Sequence, residues 1–145
     1  LVGYSFGAPF VPCIIAHDRR ASVAVMVYGG GELRTLIRHN VNRYRGRAVS
    51  EFIGLLGGVL LRPLEPMRYI EFVSPTPLIM TNGTEDEQIP RENVDALYAK
   101  AKEPKKLVWI ESKHVNPKKV ELTQQIIDTL EDELRVLDIL QGEEQ

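Results

Sequence analysis

The chain has 145 residues, a net charge of −2, 43% hydrophobic residues and one cysteine. This length allows one domain with a substantial core. The charge argues against a dedicated nucleic-acid-binding protein, the single cysteine excludes an internal disulfide, and the apolar runs are too short to span a bilayer.

A glycine- and serine-containing segment stands at the start of the chain. Residues 3–7 read GYSFG, a match to the pattern G-x-S-x-G, and they follow the apolar pair Leu1-Val2, which we interpret as the end of a strand. A tight turn at this point accounts for both glycines, because Cβ atoms there would collide with neighbouring backbone. The pattern alone is a weak signal, since glycine and serine are common in loops.

A helix and a strand are expected after this turn. The helix runs from about Phe6 to His17; Pro9 suits its first turn, whereas Pro12 indicates a kink or a delayed start. Residues 21–28 (ASVAVMVY) form an apolar, β-branched run that predicts the next strand, and three consecutive glycines end it.

The segment 32–66 has apolar residues at helical spacing in two groups. The first group is Leu33, Leu36, Ile37 and Val41, and the second is Phe52, Ile53, Leu55, Leu56 and Leu60. We predict two helices here, separated by a polar linker at 43–47 that carries three arginines.

Strands and helices alternate in the remainder of the chain. Strands are predicted at 77–82 and 106–111, and helices at about 91–102 and from about Pro117 to Leu140, where Pro117 suits the first helical turn. Residues at helical spacing, Ile126 and Ile139 among them, supply the apolar stripe of the last helix. This alternation predicts an α/β fold, a parallel sheet with helices on both faces.

Two polar segments follow the last two predicted strands. Residues 82–90 read NGTEDEQIP and residues 112–117 read SKHVNP. Together with G-x-S-x-G, they resemble the α/β-hydrolases, in which a serine, an acid and a histidine occur in this chain order. The acid loop of that family commonly reads G-x-x-D-x-x-[VI]-P, and its histidine lies just past the last strand.

The resemblance assigns a role to four residues. It implies that Ser5 is the nucleophile, Asp86 the acid and His114 the general base, with the backbone N–H of Phe6 in the oxyanion hole. It covers nearly the whole chain as the C-terminal half of that fold, a single partial domain over 1–145. The segment 32–66 then corresponds to a helical insertion that forms a lid or cap.

Other residues are weaker candidates for these roles. Glu85 and Glu87 flank Asp86 and are alternative acids. His17 suits the C-terminal end of a helix, and His39 lies in an arginine-rich segment where exposure is expected. The family usually has a small residue before the histidine, and Lys113 departs from that pattern. Cys13, in an apolar helical stretch, is expected to be a small core residue.

The resemblance implies a serine hydrolase acting on an ester or a related acyl substrate, with no cofactor and no metal; a peptidase or a thioesterase also fits. The alternative is a catalytically weak or inactive hydrolase-derived fragment that serves as an interaction module. The loop that supplies the family's second oxyanion donor is not among these residues. Nothing indicates an oxidising compartment, so a cytoplasmic location is expected.

The predicted sheet leaves one interior-type strand at an edge. The strand at 21–28 is apolar on both faces, and only Leu1-Val2 stands beside it. An exposed edge of this kind is a template for pairing. We therefore expect a homo-oligomer, most simply a two-fold dimer, or a longer protein whose N-terminal half completes the sheet.

Overall fold

The computed structural model describes residues 1–116 and 118–137. Within them, four parallel strands form one sheet in the order β1 (Val2–Tyr4), β2 (Ala24–Val27), β3 (Leu78–Gly83) and β4 (Lys105–Ile110). Strands that are adjacent in sequence are adjacent in the sheet. The predicted parallel α/β architecture is confirmed.

Helices connect the strands. A 3-10 turn over Ser5–Phe10 leads into α1 (Val11–His17), and α2 (Leu33–Arg45) and α3 (Arg47–Leu60) form a hairpin between β2 and β3. Three short 3-10 turns, Arg62–Leu64, Pro66–Arg68 and Ile70–Phe72, join that hairpin to β3. α4 (Arg91–Lys100) lies between β3 and β4, and α5 (Val120–Val136) follows β4.

The core lies on both faces of the sheet. Met26 and Met80 point to the face covered by α1 and α4, where they join Ile15 and Leu97. The alternating residues Val25 and Ile79 point to the opposite face, which is covered by Ile126 of α5. Successive side chains of a strand alternate between faces, so strands buried on both sides are largely apolar, as all four residues of β2 are.

The structure corrects several expected boundaries. The first α-helix begins only at Val11, because Pro9 and Pro12 favour a 3-10 turn before it. The linker predicted at 43–47 is the single residue Gly46, whose positive φ of 78° ends α2 and starts α3. Pro117 and the predicted continuation of the last helix through Ile139 and Leu140 lie outside the described residues.

The strand at the sheet edge also differs from the prediction. β2 is an interior strand, because Val2, Gly3 and Tyr4 of β1 pair in register with Val25, Met26 and Val27. The edge on this side is therefore the three-residue strand β1.

No helix in the described part of the chain is both long enough and apolar enough to cross a bilayer. The carboxyl ends of the strands all lie at one edge of the parallel sheet, which is where ligand sites form in folds of this type. The polar segments singled out by the sequence follow three of those ends.

Candidate active site

Ser5 stands on a sharp turn at the end of β1. Its φ is +49°, in the left-handed region that a serine rarely adopts. Gly3 makes the turn sterically feasible, because a Cβ on it would lie 2.4 Å from Val11 Cγ2 and 2.7 Å from the carbonyl oxygen of Gly7. Gly7 differs from the expectation: within the described residues, nothing lies within 4 Å of the Cβ it would carry. Only the first glycine is thus explained by close packing.

The three polar residues that the sequence singled out form a hydrogen-bonded chain. Ser5 Oγ lies 2.8 Å from His114 Nε2, and His114 Nδ1 lies 2.7 Å from Asp86 Oδ2. A carboxylate can only accept, so His114 Nδ1 donates to Asp86, and in the neutral ring Nε2 is left to accept from the Ser5 hydroxyl. Ser5 and His114 are 109 positions apart in the sequence, and the parallel sheet brings them together.

Asp86 is fixed by the turn that carries it. Its Oδ1 accepts from the backbone N–H groups of Gln88 and Ile89 at 2.8 and 3.1 Å, which leaves Oδ2 directed at His114. Its side chain is 1% exposed, whereas Glu85 and Glu87 are exposed. Of the three acidic residues, it is Asp86 that contacts the imidazole.

The imidazole of His114 also packs against a buried tyrosine. Tyr28, at the end of β2, lies edge-on to the His114 ring, with centroids 5.8 Å apart and planes at 90°. Its hydroxyl is hydrogen-bonded to Ser112 Oγ, two residues before the histidine. Burial raises the pKa of Tyr28 above its usual value of 10.0, since the charged phenolate would be poorly solvated there.

An apolar cavity of about 380 Å³ opens beside Ser5 and His114. Helix α2 and the turn after Ser5 both contribute lining residues. The apolar lining residues are Phe6, Pro9, Phe10, Leu33, Leu36, Ile37, Val41, Leu61 and Ile89. The cavity suits the apolar group of a small molecule whose reacting atom lies next to Ser5 Oγ.

The polar edge of α2 holds the loop that carries Asp86. His39 Nε2 and Asn40 Nδ2 lie 2.8 Å from the carbonyl oxygens of Glu87 and Gln88, respectively. Arg43 donates to the Glu87 carbonyl at 3.2 Å and to its carboxylate at 2.6 Å. The sequence predicts an exposed His39; the residue is half-buried because it takes part in this contact.

The remaining candidates are one backbone donor beside Ser5 and three side chains outside the hydrogen-bonded chain. The Phe6 N–H belongs to the first turn of the 3-10 helix, where no intrahelical acceptor is available, and it directly follows Ser5. Lys113 points to Glu87, with Nζ 4.0 Å from its carboxylate, and is 65% exposed. Nδ1 of His17, the last residue of α1, lies 2.8 Å from the carbonyl oxygen of Cys13, so this ring is bonded within its own helix rather than to Ser5. Cys13 is half-buried rather than a core residue.

No cluster of three or more metal-ligating side chains occurs in residues 1–116 and 118–137. The site as described consists of side chains, backbone N–H groups and an apolar cavity. Such a set of groups could perform acyl transfer, because a hydroxyl, a base and an orienting carboxylate are hydrogen-bonded to one another in that order.

Known structures share this arrangement of strands and helices. A Pyrococcus furiosus esterase superimposes with a TM-score of 0.71 at 17% identity, over 92% of this chain and 52% of that one. The α/β-hydrolase GrgF from Penicillium sp. sh18 gives 0.63 at 17% identity, over 93% and 62%. The chain has an α/β-hydrolase fold. An enol-lactonase from Burkholderia xenovorans LB400 shares it, with a TM-score of 0.53 at 14% identity, over 89% and 64%.

Sequence comparison finds a relative of greater length. The uncharacterized protein YfhR of Escherichia coli O157:H7 is 43% identical over 117 residues, which are 80% of this chain and 38% of YfhR. No protein-family model matches the chain. The chain thus spans between about one third and two thirds of the length of the proteins it resembles, as a partial α/β-hydrolase fold.

Sequence reasoning misses the residues that support the site. It places Tyr28 in a strand, Ser112 in a loop, His39 in an exposed arginine-rich segment and Arg43 in a polar linker. It gives no role in the site to these residues or to Asn40. A tyrosine directly before three glycines at a strand end is the available signal for Tyr28. No local pattern marks the α2 residues, because their contacts are to a loop 44 to 48 residues away.

Proposed function

We propose that this chain carries the catalytic residues of a serine hydrolase that cleaves a carboxylic ester or a related acyl bond. The observation that carries the proposal is the Ser5–His114–Asp86 hydrogen-bonded chain, on a turn with Ser5 in the left-handed conformation. The proteins that share the fold include an esterase and an enol-lactonase, which supports acyl chemistry at this position.

The proposed reaction begins with attack by Ser5 Oγ on the acyl carbon. His114 Nε2 takes the Ser5 proton as the C–O bond forms, and Asp86 stabilises the imidazolium and holds its ring orientation. The tetrahedral intermediate collapses, the bond to the alcohol breaks, and the alcohol leaves with the proton from Nε2. A water molecule then attacks the acyl-Ser5 ester, giving its proton to Nε2, and Ser5 recovers that proton as the acid departs.

The backbone supplies part of the charge stabilisation. The Phe6 N–H lies in the first helical turn and adjoins the nucleophile, so it is suited to bind the oxyanion of the intermediate. One such donor is worth about 10²–10³ in rate. The apolar cavity beside Ser5 supports a substrate whose acyl or alkyl group is apolar.

Covalent labelling tests the proposal. Treatment with a fluorophosphonate should give an adduct that mass spectrometry assigns to Ser5, and the Ser5→Ala variant should lose both the label and the hydrolysis of a p-nitrophenyl ester. Ser22→Ala, which changes an exposed serine before β2, is the matched control and should retain both. An adduct on Ser22, Ser50, Ser74 or Ser112 would contradict the assignment of Ser5 as the nucleophile. No labelling of the folded protein would contradict the proposal and favour a non-catalytic interaction module.

A further inference from the structure

Helix α3 exposes large apolar side chains along its length. Phe52, Val59 and Leu60 are 67%, 62% and 68% exposed, and about half of the surface of Leu55 and Leu56 is open. These residues form a continuous face, because they recur at helical spacing. Contiguous apolar faces of this kind on a protein surface mark interaction sites.

The exposure follows from how α3 packs on α2. Ser50, Gly54 and Gly58 lie one turn apart and face α2: a Cβ on Gly54 would lie 2.9 Å from Arg38 Cβ, and one on Gly58 would lie 2.7 Å from Arg34 Cβ. Small residues thus allow a close approach of the two helices. The large apolar residues are left on the outer side, the reverse of an ordinary amphipathic helix on a soluble core.

Positive charge flanks this apolar face. Residues 32–68 contain seven arginines and three glutamates, a net charge of +4 in a chain of net charge −2. Arg45 and Arg47 are exposed at one end of α3 and Arg62 lies at the other. The acidic residue on α3, Glu51, is paired with Arg38 at 3.1 Å, so it does not offset that charge at the outer face.

We propose that this α3 face docks on an anionic phospholipid surface, with the helix lying in the plane of the interface. A 14-residue helix is about 21 Å long, too short for a hydrocarbon core of about 30 Å but suited to interfacial binding. Arginines beside the apolar side chains match anionic headgroups. In a face-to-face dimer the same arginines of two copies would repel each other, so a lipid surface fits better than a second copy.

Docking on this face would bring the candidate active site near the lipid. Leu61, the residue after α3, lines the cavity beside Ser5. The proposal does not depend on catalysis, because binding is measured without any turnover and with Ser5→Ala as well.

Vesicle flotation tests the docking surface. The protein should float with vesicles of phosphatidylcholine containing phosphatidylglycerol and bind much less to phosphatidylcholine alone, and binding should weaken with added salt. The Phe52→Ser/Val59→Ser double variant should lose about tenfold or more in partitioning. Arg45→Gln and Arg47→Gln should each reduce binding to the anionic vesicles about fivefold.

Matched controls separate docking from folding. Phe72→Ser alters an equally large exposed side chain outside α3 and should bind as the wild type does, and Phe52→Leu should retain binding. Circular dichroism checks that each variant is folded. Absence of flotation with anionic vesicles, or equal flotation of the double variant, overturns the proposal. The proposal is also overturned if the protein does not float with vesicles and Phe52→Ser changes the mass measured by light scattering. That result would assign the face to contact with a second copy.

Discussion

Ser5 and Tyr28 share a backbone conformation that is uncommon for residues with side chains. Their φ angles are +49° and +56°, and each follows the end of a strand, β1 for Ser5 and β2 for Tyr28. Such conformations cost about 1–3 kcal/mol each and persist where surrounding contacts impose them. Tyr28 is held by a backbone hydrogen bond of 2.7 Å to the Thr81 carbonyl and by its buried ring. The two strained residues contact the same imidazole.

The Asp86→Asn substitution tests the orienting role of the carboxylate. The oxygen of the new amide can keep accepting from Gln88 and Ile89, so the amide N–H₂ would face His114 Nδ1. A donor there stabilises the wrong tautomer, with Nε2 protonated and unable to accept from Ser5. We expect ester hydrolysis to fall by about 10³–10⁴ with little change in stability, measured by kcat and thermal unfolding.

Glu85→Gln is the matched control for this substitution, because it neutralises the adjacent, exposed acid. It should retain activity. If Glu85→Gln or Glu87→Gln reduced the rate as far as Asp86→Asn does, the assignment of the acid would be wrong.

Tyr28→Phe tests the support of the histidine. The phenylalanine ring keeps the contact with His114 but loses the hydrogen bond to Ser112, so we expect unfolding to become easier by about 0.5–1.5 kcal/mol at neutral pH. The raised pKa of Tyr28 means that the folded protein keeps this proton to higher pH than the unfolded chain does. The contribution of this ionisation to the free energy of unfolding is therefore constant below about pH 10, and it destabilises the folded protein as the pH rises further.

Urea denaturation between about pH 7 and about pH 11 measures both effects. The loss of stability above about pH 10 should be smaller in Tyr28→Phe than in the wild type. Parallel curves for the two proteins over this range would contradict the pH argument, and an unchanged stability at neutral pH would contradict the role of the hydroxyl.

At the scale of elements, α2 contacts the candidate site through two faces. One face contributes Leu33, Leu36, Ile37 and Val41 to the cavity beside Ser5, and the polar edge holds the loop of Asp86 through His39, Asn40 and Arg43. A ligand in the cavity would thus contact the same helix that positions the acid loop. We expect the contacts of α2 with Glu87 and Gln88 to help to position Asp86.

The Arg43→Met substitution tests whether these contacts position Asp86. It removes both contacts to Glu87 while keeping a long side chain, and we expect kcat for ester hydrolysis to fall about threefold to tenfold with the protein still folded. Arg45→Met, two residues on and outside this contact, is the control and should leave kcat unchanged. Equal rates for Arg43→Met and the wild type would show that the contact does not position Asp86.

At the scale of the whole molecule, the sheet has an edge at β1. Val2 is 62% exposed and apolar, and the outer side of β1 has no strand beside it in the part of the chain that the structure describes. We therefore expect either a homo-oligomer that pairs through this edge or a longer protein whose N-terminal half completes the sheet. If the chain associates through this edge, Val2→Lys should weaken the association, because an edge lysine opposes strand pairing. Light scattering at micromolar concentration checks this; a monomeric wild type with unchanged behaviour in Val2→Lys would contradict it.

The class of fold and the order of its elements could be predicted from the amino-acid sequence. Parallel strands buried on both faces are largely apolar, and the runs VAVMV at 23–27 and LIM at 78–80 indicate such strands without any knowledge of contacts. Ser5, Asp86 and His114 were singled out because their segments resemble those of the α/β-hydrolases in order and spacing, with Glu85 and Glu87 left as alternative acids. The positions of the prolines indicated the delayed start of α1.

The contacts between these elements could not be predicted in this way, because they depend on the three-dimensional packing of the chain. The choice of Asp86 over Glu85 and Glu87 depends on which carboxylate the turn buries against the imidazole. The support from Tyr28, the contacts of α2 with the acid loop and the outward apolar face of α3 depend on residues that are distant in sequence. Periodicity shows that a helix has an apolar face, but the direction of that face follows from packing, and in α3 the glycines facing α2 reversed the usual orientation.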